Sequence, residues 1–290
     1  MKTVLITGAS NGLGYLSALT LARKGYNVWA TMRNINGKNS IKKEQLETIA
    51  SEENISITVA ELDVTSDTST NDLVNRILTE EETGLDVLIN NAGMMYVGIT
   101  EAYSIKQVQE QFDTNFFGVI RTSKAFLPLL KKSSDGLIIN ISSLAGRLVF
   151  PYFGIYCASK FALEAYSQAL KYELKPLGVD VSVIEPGPYP SGLLYSGPKE
   201  DDKTALDSYG EMASVPKTML QNFDQFFKSD DSPNPQEIPD AILKVIEMPK
   251  GNRLIRQAVG VDYNTNELND KIGPIQEHLI KETLQMEHLI

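Results

Sequence analysis

Tyr156-Cys157-Ala158-Ser159-Lys160 sets a phenol and an ammonium four residues apart, so on a helix both side chains leave one face. An unperturbed tyrosine titrates at about 10, too high for efficient proton exchange near neutrality, and a fixed cation nearby is the simplest way to lower it. Tyr156 is therefore a candidate general acid/base and Lys160 the cation that tunes it. The same spacing also arises from a core ring and a solvated charge, so the pair needs a context.

A second constellation supplies one. Thr7-Gly8-Ala9-Ser10-Asn11-Gly12-Leu13-Gly14 follows a short apolar run and opens a segment of helical periodicity. Glycines there permit a tight turn and close approach of backbone to a pyrophosphate, while a helix N-terminus offers free N–H groups and a favourable dipole. The plainer alternative is a glycine-rich turn, but strand before and helix after favour the nucleotide.

The elements that must position these groups alternate along the first two-thirds of the chain. Expected strands are Val4 to Thr7, Asn27 to Met32, Ile55 to Leu62, Asp86 to Asn90, Gly136 to Ser142 and Val179 to Glu185, several of them apolar at successive positions, as strands buried on both faces are. Between them lie helical patterns such as Leu13 to Lys24, Lys106 to Leu130 and Ile155 to Leu174. This alternation predicts an α/β fold of Rossmann type, a doubly wound parallel sheet, as a single domain over residues 1–290. After Pro186 the texture changes: Pro186-Gly187-Pro188-Tyr189-Pro190-Ser191-Gly192 cannot continue a helix or a central strand. The segment 192–235 reads as an excursion carrying Tyr195, Tyr209, Phe223, Phe226 and Phe227, either a lid over a hydrophobic substrate or a piece packed on the body and at a subunit contact. A helix from about Pro235 to Met248, a last strand Arg253 to Val259 and an amphipathic helix over 274–290 complete the expectation.

Composition narrows the function. The 290 residues carry a formal net charge of -10, without the basic surface that would neutralise phosphates, so nucleic acid is not an expected partner. One cysteine excludes an intramolecular disulfide, and with two histidines it leaves no ligand cluster for structural zinc, so no metal is expected. No signal peptide is read at Met1-Lys2, and no apolar run approaches the roughly 18 residues that span a bilayer. A cytoplasmic location is expected.

Taken in order over about residues 3 to 190, Thr7-Gly8 through Gly14, Asn90-Asn91-Ala92-Gly93, Asn115, Ser143, Tyr156, Lys160 and Pro186-Gly187 make the chain resemble the short-chain dehydrogenase/reductase family in its TGxxxGxG form. The stretch Tyr156 to Glu164 is similar to members acting on hydroxysteroids and retinoids. The resemblance implies a carbonyl–alcohol oxidoreductase in which hydride passes between nicotinamide and a small hydrophobic substrate. It makes Tyr156 the proton donor or acceptor, and Lys160 the group that lowers its pKa and bonds the nicotinamide ribose. Ser143 would orient the substrate carbonyl, Ser142 being the neighbouring alternative that strand alternation points elsewhere. Asn115, a poor helix former inside an expected helix, would perturb that helix and hold a water of a proton relay. Gly8, Ser10, Asn11, Gly12, Leu13, Gly14, Asn91, Ala92, Gly93, Pro186, Gly187 and Ser191 would line the cofactor, with Asp63 and Val64 at its adenine. Relatives in this family are often homodimers or homotetramers built through two long helices.

Charge argues the choice of cofactor. Where an Asp or Glu would bind the ribose 2'-hydroxyl of NAD, the chain reads Thr31-Met32-Arg33. Nothing at Met32 repels a 2'-phosphate and Arg33 is placed to pair with it, so NADP(H) is favoured over NAD(H). Asn11 lacks the second basic charge seen in many NADP-dependent relatives, and Pro188 and Pro190 stiffen the approach to Ser191. Two other classes fit the fold: a dinucleotide-sensing protein without catalysis, and a redox-assisted epimerase or dehydratase. The first would have lost the proton-transfer residues; the second usually has another glycine spacing and a larger C-terminal domain.

Overall fold

The computed structural model describes residues 1–81 and 84–290. Seven strands, β1 (Thr3–Ile6), β2 (Asn27–Met32), β3 (Ile57–Glu61), β4 (Val87–Asn90), β5 (Gly136–Ile141), β6 (Val179–Pro186) and β7 (Arg256–Val259), form one sheet in the order β3-β2-β1-β4-β5-β6-β7. Every neighbouring pair is parallel. Parallel neighbours need a crossover, and helices supply it: α1 (Gly12–Arg23), α2 (Ser40–Glu53), α3 (Asp67–Glu80), α4 (Ile105–Phe112), α5 (Gly118–Leu130) and α6 (Gly154–Leu174). The chain winds outward from β1 to β3, then returns to place β4 on the other side of β1. That reversal opens a crevice beyond the carboxyl ends of β1 and β4.

Alternate strand residues feed two apolar layers. Val4, Ile6, Val28, Ile89 and Ile139 pack with α1 and with α9 (Glu237–Glu247) on one face, where Ile238, Ile242 and Val245 are buried. Leu5, Trp29, Leu88 and Ile138 pack with Leu73 of α3 and Phe126 of α5 on the other. This double burial explains why the strands read as continuous apolar runs. Trp29 is 1% exposed, and its indole N–H donates to Glu81 at 2.6 Å, which satisfies the polar tip of an otherwise apolar burial.

Three stretches differ from expectation. The long helix foreseen over Lys106 to Leu130 is α4, a π-turn over Asp113–Phe117, then α5. The segment 192–235 is largely helical, with 3-10 turns at Gly192–Tyr195 and Gly210–Ser214, α7 (Lys203–Ser208) and α8 (Val215–Phe226). It is tied to the loop after β4 by Met95 N–H to Ser196 Oγ (2.9 Å) and Ile99 N–H to Glu200 Oε1 (2.9 Å), and to α4 by Gln107 Nε2 to the Lys199 carbonyl (2.7 Å). The C-terminal helix does not begin at Pro274. It is α10 (Thr265–His278), followed by a π-turn over Leu279–Thr283 and a 3-10 turn at Glu287–Leu289. Asp262 starts it by accepting from the backbone of Asn264 (3.1 Å) and Asn266 (3.3 Å), a side-chain turn that precedes the proline by a dozen residues. Pro274 lies inside the helix, where it removes one backbone bond.

Candidate active site

The cradle is stitched across the reversal point. Thr7 Oγ1 accepts from the backbone N–H of Asn91 (3.0 Å) and Ala92 (2.9 Å), and the Asn91 amide donates back to the carbonyls of Thr7 (2.8 Å) and Gly8 (3.1 Å). Gly8 and Gly14 serve this close packing. A Cβ on Gly8, which has φ +72, would lie 2.8 Å from Ala92 Cα; one on Gly14 would lie 2.5 Å from the Gly8 carbonyl oxygen and collide with the Asn91 amide. Gly12 differs, because with φ +56 its Cβ position faces open space, the nearest atom being Ser191 Cβ at 3.9 Å. Asn11 caps α1 without a side-chain hydrogen bond, and among the described residues the first-turn N–H groups have no side-chain partner. A bare glycine floor beside free helix amides suits a pyrophosphate.

A cavity of about 960 Å³ runs from Arg33 and Lys38, past Gly12 and Ser191, to Tyr156 and Phe223. Of the residues expected at a site, Gly8, Ser10, Asn11, Gly12, Leu13, Gly14, Arg33, Asp63, Val64, Asn91, Ala92, Gly93, Ser143, Tyr156, Lys160, Pro186, Gly187 and Ser191 all line it. Asn115 does not; it stands one layer behind. At the far end Met32 is buried and Arg33 exposed. The turn after β2 is fixed by Glu61, whose two oxygens accept the N–H groups of Asn34 (2.5 Å) and Ile35 (2.9 Å), while Asn39 donates to the Arg33 carbonyl (2.5 Å). Asp63 accepts from Thr65 N–H (2.9 Å) and Oγ1 (2.7 Å), which fixes the turn after β3.

At the other end Tyr156 is 3% exposed on α6. Burial pushes its phenol above the ordinary tyrosine value and the Ser143 hydroxyl pulls it back. The lowering expected from Lys160 is not found here: its Nζ donates to the Ile141 carbonyl (2.8 Å) and lies 5.8 Å from the Tyr156 ring centroid. Burial acts on Lys160 in its turn, lowering it to about 8 against the opposing field of Glu164. Ser143 also accepts from Ala145 N–H at 3.1 Å, which holds its hydroxyl at the end of β5. Asn115 sits in the π-turn, buried, and its amide bonds both backbone groups of Met94 (2.9 Å each) and Ser159 Oγ (3.1 Å). It fastens the loop after β4 to α6, directly behind the phenol and ammonium.

The family profile described as short chain dehydrogenase matches residues 2–200. The chain belongs to the short-chain dehydrogenase family. This dehydrogenase is similar to the 3-ketodihydrosphingosine reductase of Bacteroides thetaiotaomicron, with 35% identity over 84% of this chain and 83% of that protein. It is similar to human retinol dehydrogenase 8, with 38% identity over 84% and 78%. In structure it resembles the alcohol dehydrogenase of Thermococcus sibiricus complexed with 5-hydroxy-NADP, with a TM-score of 0.71 and 26% identity over 90% and 97%. It is an oxidoreductase acting on alcohol and carbonyl groups with a nicotinamide dinucleotide.

Several residues of the dehydrogenase cavity escape sequence reasoning. Lys38 and Glu61 join Arg33 at one end, and Met95, Phe150, Phe153 and Tyr263 join Phe223 and Phe227 at the other. Lys38 follows Gly37 in a polar turn that matches no motif. Phe153 meets Phe223 edge-on at 6.4 Å between centroids, and Phe150 meets Tyr263 at 6.1 Å, contacts made between segments far apart in sequence. Aromatic content in 192–235 was the one signal available for this wall.

Proposed function

We propose that the enzyme interconverts a bulky, neutral ketone or aldehyde and its alcohol with NADP(H), with Tyr156 as the general acid/base. What carries the reading is the placement of the buried phenol and the Ser143 hydroxyl where the cavity walls turn apolar. Bound nicotinamide supplies or takes up the hydride at the substrate carbon. Ser143 orients the carbonyl oxygen, and Tyr156 delivers its proton to that oxygen in reduction or receives one in oxidation. Lys160 holds a positive charge beneath the phenol as it loses its proton, and Asn115 keeps the layer behind them rigid. Met95, Phe150, Phe153, Leu193 and Phe223 exclude water from the reacting atoms.

Arg33 and Lys38 support NADP(H): both line the end at which the 2'-phosphate would sit, and Met32 offers no carboxylate there. Glu61 lies at the same end, but both its oxygens are committed to backbone amides. Retinol and 3-ketodihydrosphingosine, the compounds for which two relatives are named, are of the size and apolarity such walls take. We assign residues 192–235 as the lid of this single-domain enzyme, because Leu193, Leu194 and Phe223 pack on the same cluster as Tyr156. We further place it in the cytoplasm, on its lone buried cysteine, as a homodimer or homotetramer through α5 and α6, whose neighbourhood leaves Phe117 and Phe161 exposed. Among the described residues no helix is long and apolar enough to cross a membrane.

Titration of the protein with NADPH and NADH, followed by a panel of hydrophobic ketones and aldehydes with absorbance at the nicotinamide band, tests the reading. Tighter binding of NADPH and its substrate-dependent oxidation are expected. Binding of neither nucleotide overturns it, and turnover preserved in Tyr156→Phe removes the role given to the phenol.

A further inference from the structure

Beneath the site lies a group of buried charges that the reaction as described does not use. Glu164, one helical turn beyond Lys160 on α6, is 3% exposed. Its side chain, the Ser142 hydroxyl and the Lys160 carbonyl all crowd Gly146: a Cβ there would lie 2.8 Å from Glu164 Cγ, 2.9 Å from Ser142 Oγ and 3.1 Å from that carbonyl oxygen. Arg256, from β7 at the sheet edge, reaches in and donates to Glu164 Oε2 at 2.8 Å. Glu185, at the end of β6, is fully buried beside them. Its carboxylate is 3.8 Å from both Arg147 Nε and Arg256 Nε, and accepts from Asn269 of α10 at 2.7 Å. Burial, with Glu164 next to it, pushes Glu185 up to about 8. Gln168 accepts from Arg256, and Lys171 and Tyr172 feel its charge from the next turn of α6.

A buried ammonium is costly unless a counter-charge lies near it. Glu164 is the carboxylate on the helical face of Lys160, and its field opposes the discharge that burial imposes. We propose that Glu164 is a positioning residue for the charge of Lys160: clamped by Arg256 from the last strand, its carboxylate is the counter-ion that keeps the ammonium protonated beneath the site. The inference rests on the role given to Tyr156 and Lys160 above. It makes the C-terminal part of the sheet, remote from the cofactor, a contributor to proton transfer.

The test is a pH titration of Lys160 itself in the cofactor-free protein, by NMR of lysine labelled with 15N at Nζ, with the Lys160→Met variant assigning the signal. In Glu164→Gln the midpoint should fall by about one pH unit, as loss of a nearby charge in a weakly screened interior requires. Glu164→Asp, which keeps the charge, should restore most of that shift. The alkaline limb of kcat/KM against pH should move by the same amount. Should Glu164→Gln fail to fold, the double variant Glu164→Gln/Arg256→Gln removes both members of that pair, leaves Glu185 to Arg147 and Asn269, and should show a fall of the same sign. A Lys160 midpoint unchanged in whichever of these folds overturns the proposal. The underlying reading fails separately, through turnover that survives Tyr156→Phe or Lys160→Met whatever the titration of Lys160 shows.

Discussion

Burial acts on Tyr156 and Lys160 in opposite chemical directions but with one electrostatic consequence, since each is pushed toward its neutral form. A fully protonated phenol is ready to donate in reduction, so Tyr156→Phe should lower kcat/KM about 10²–10⁴-fold, the usual span for a general acid. NADPH dissociation, measured by fluorescence, should change little. Lys160→Met should be more stable than wild type at pH 7 by about 1–3 kcal/mol in urea unfolding, because the buried charge is removed. The sign with pH follows from a folded value near 8, below the unfolded one: the penalty is complete below 8 and disappears as pH rises toward about 10.4, so the advantage of the variant should shrink over that interval. Arg33→Ala should weaken NADPH about tenfold and leave NADH nearly unchanged, the loss of one charge-assisted phosphate contact. Equal weakening of both nucleotides would remove Arg33 from the 2'-phosphate.

At the scale of elements, what holds the cradle is the seam between the loops after β1 and β4. Gly14→Ala drives a methyl into the Gly8 carbonyl and the Asn91 amide, and should cost about 1–3 kcal/mol of stability and weaken both nucleotides together. The glycine side of this seam was legible in sequence because its parts are local: a strand, a glycine turn and a helix start announce themselves within a dozen residues, whereas its bonds to Asn91 and Ala92 join distant segments and were not. The same is true of the seven strands, each of which lies within three residues of its expected position at either end. Asn115 was visible as a poor helix former, and the resemblance implied a perturbed helix there; the π-turn that carries it has that form, while its bonds to Met94 across the crevice had no local signal. The expected start at 274 rested on apolar periodicity, which covers only the later part of the helix, whereas the real start, at Asp262, signals through a side chain. Lys38, Phe150 and Tyr263 stayed hidden for a different reason: no local pattern reports which distant segments will meet.

For the molecule as a whole, closure of the sheet's later half depends on Arg253. Its guanidinium, almost wholly buried, donates to the Val245 carbonyl at the end of α9 (3.1 Å), to Asp180 of β6 (3.0 Å) and to Asp135 before β5 (2.9 Å). Arg253→Met takes from Asp180 its ion-pair partner while Asp135 keeps Lys2 (2.6 Å), and should cost about 3 kcal/mol in denaturant unfolding, with the Kd for NADPH unchanged in the fraction that remains folded. The winding order also divides labour along the chain. Arg33, Lys38, Asp63 and Gly12 come before β4, while Met95, Phe150, Leu193, Phe223 and Tyr263 all come after it. In genetic terms a single crossover just past the codon for Gly93 exchanges the apolar wall while Gly8 to Gly14, Arg33 and Asp63 stay in place, so a lineage built on this topology can change what it oxidises and keep its coenzyme, provided the incoming half again supplies Lys160, Pro186, Gly187 and Ser191.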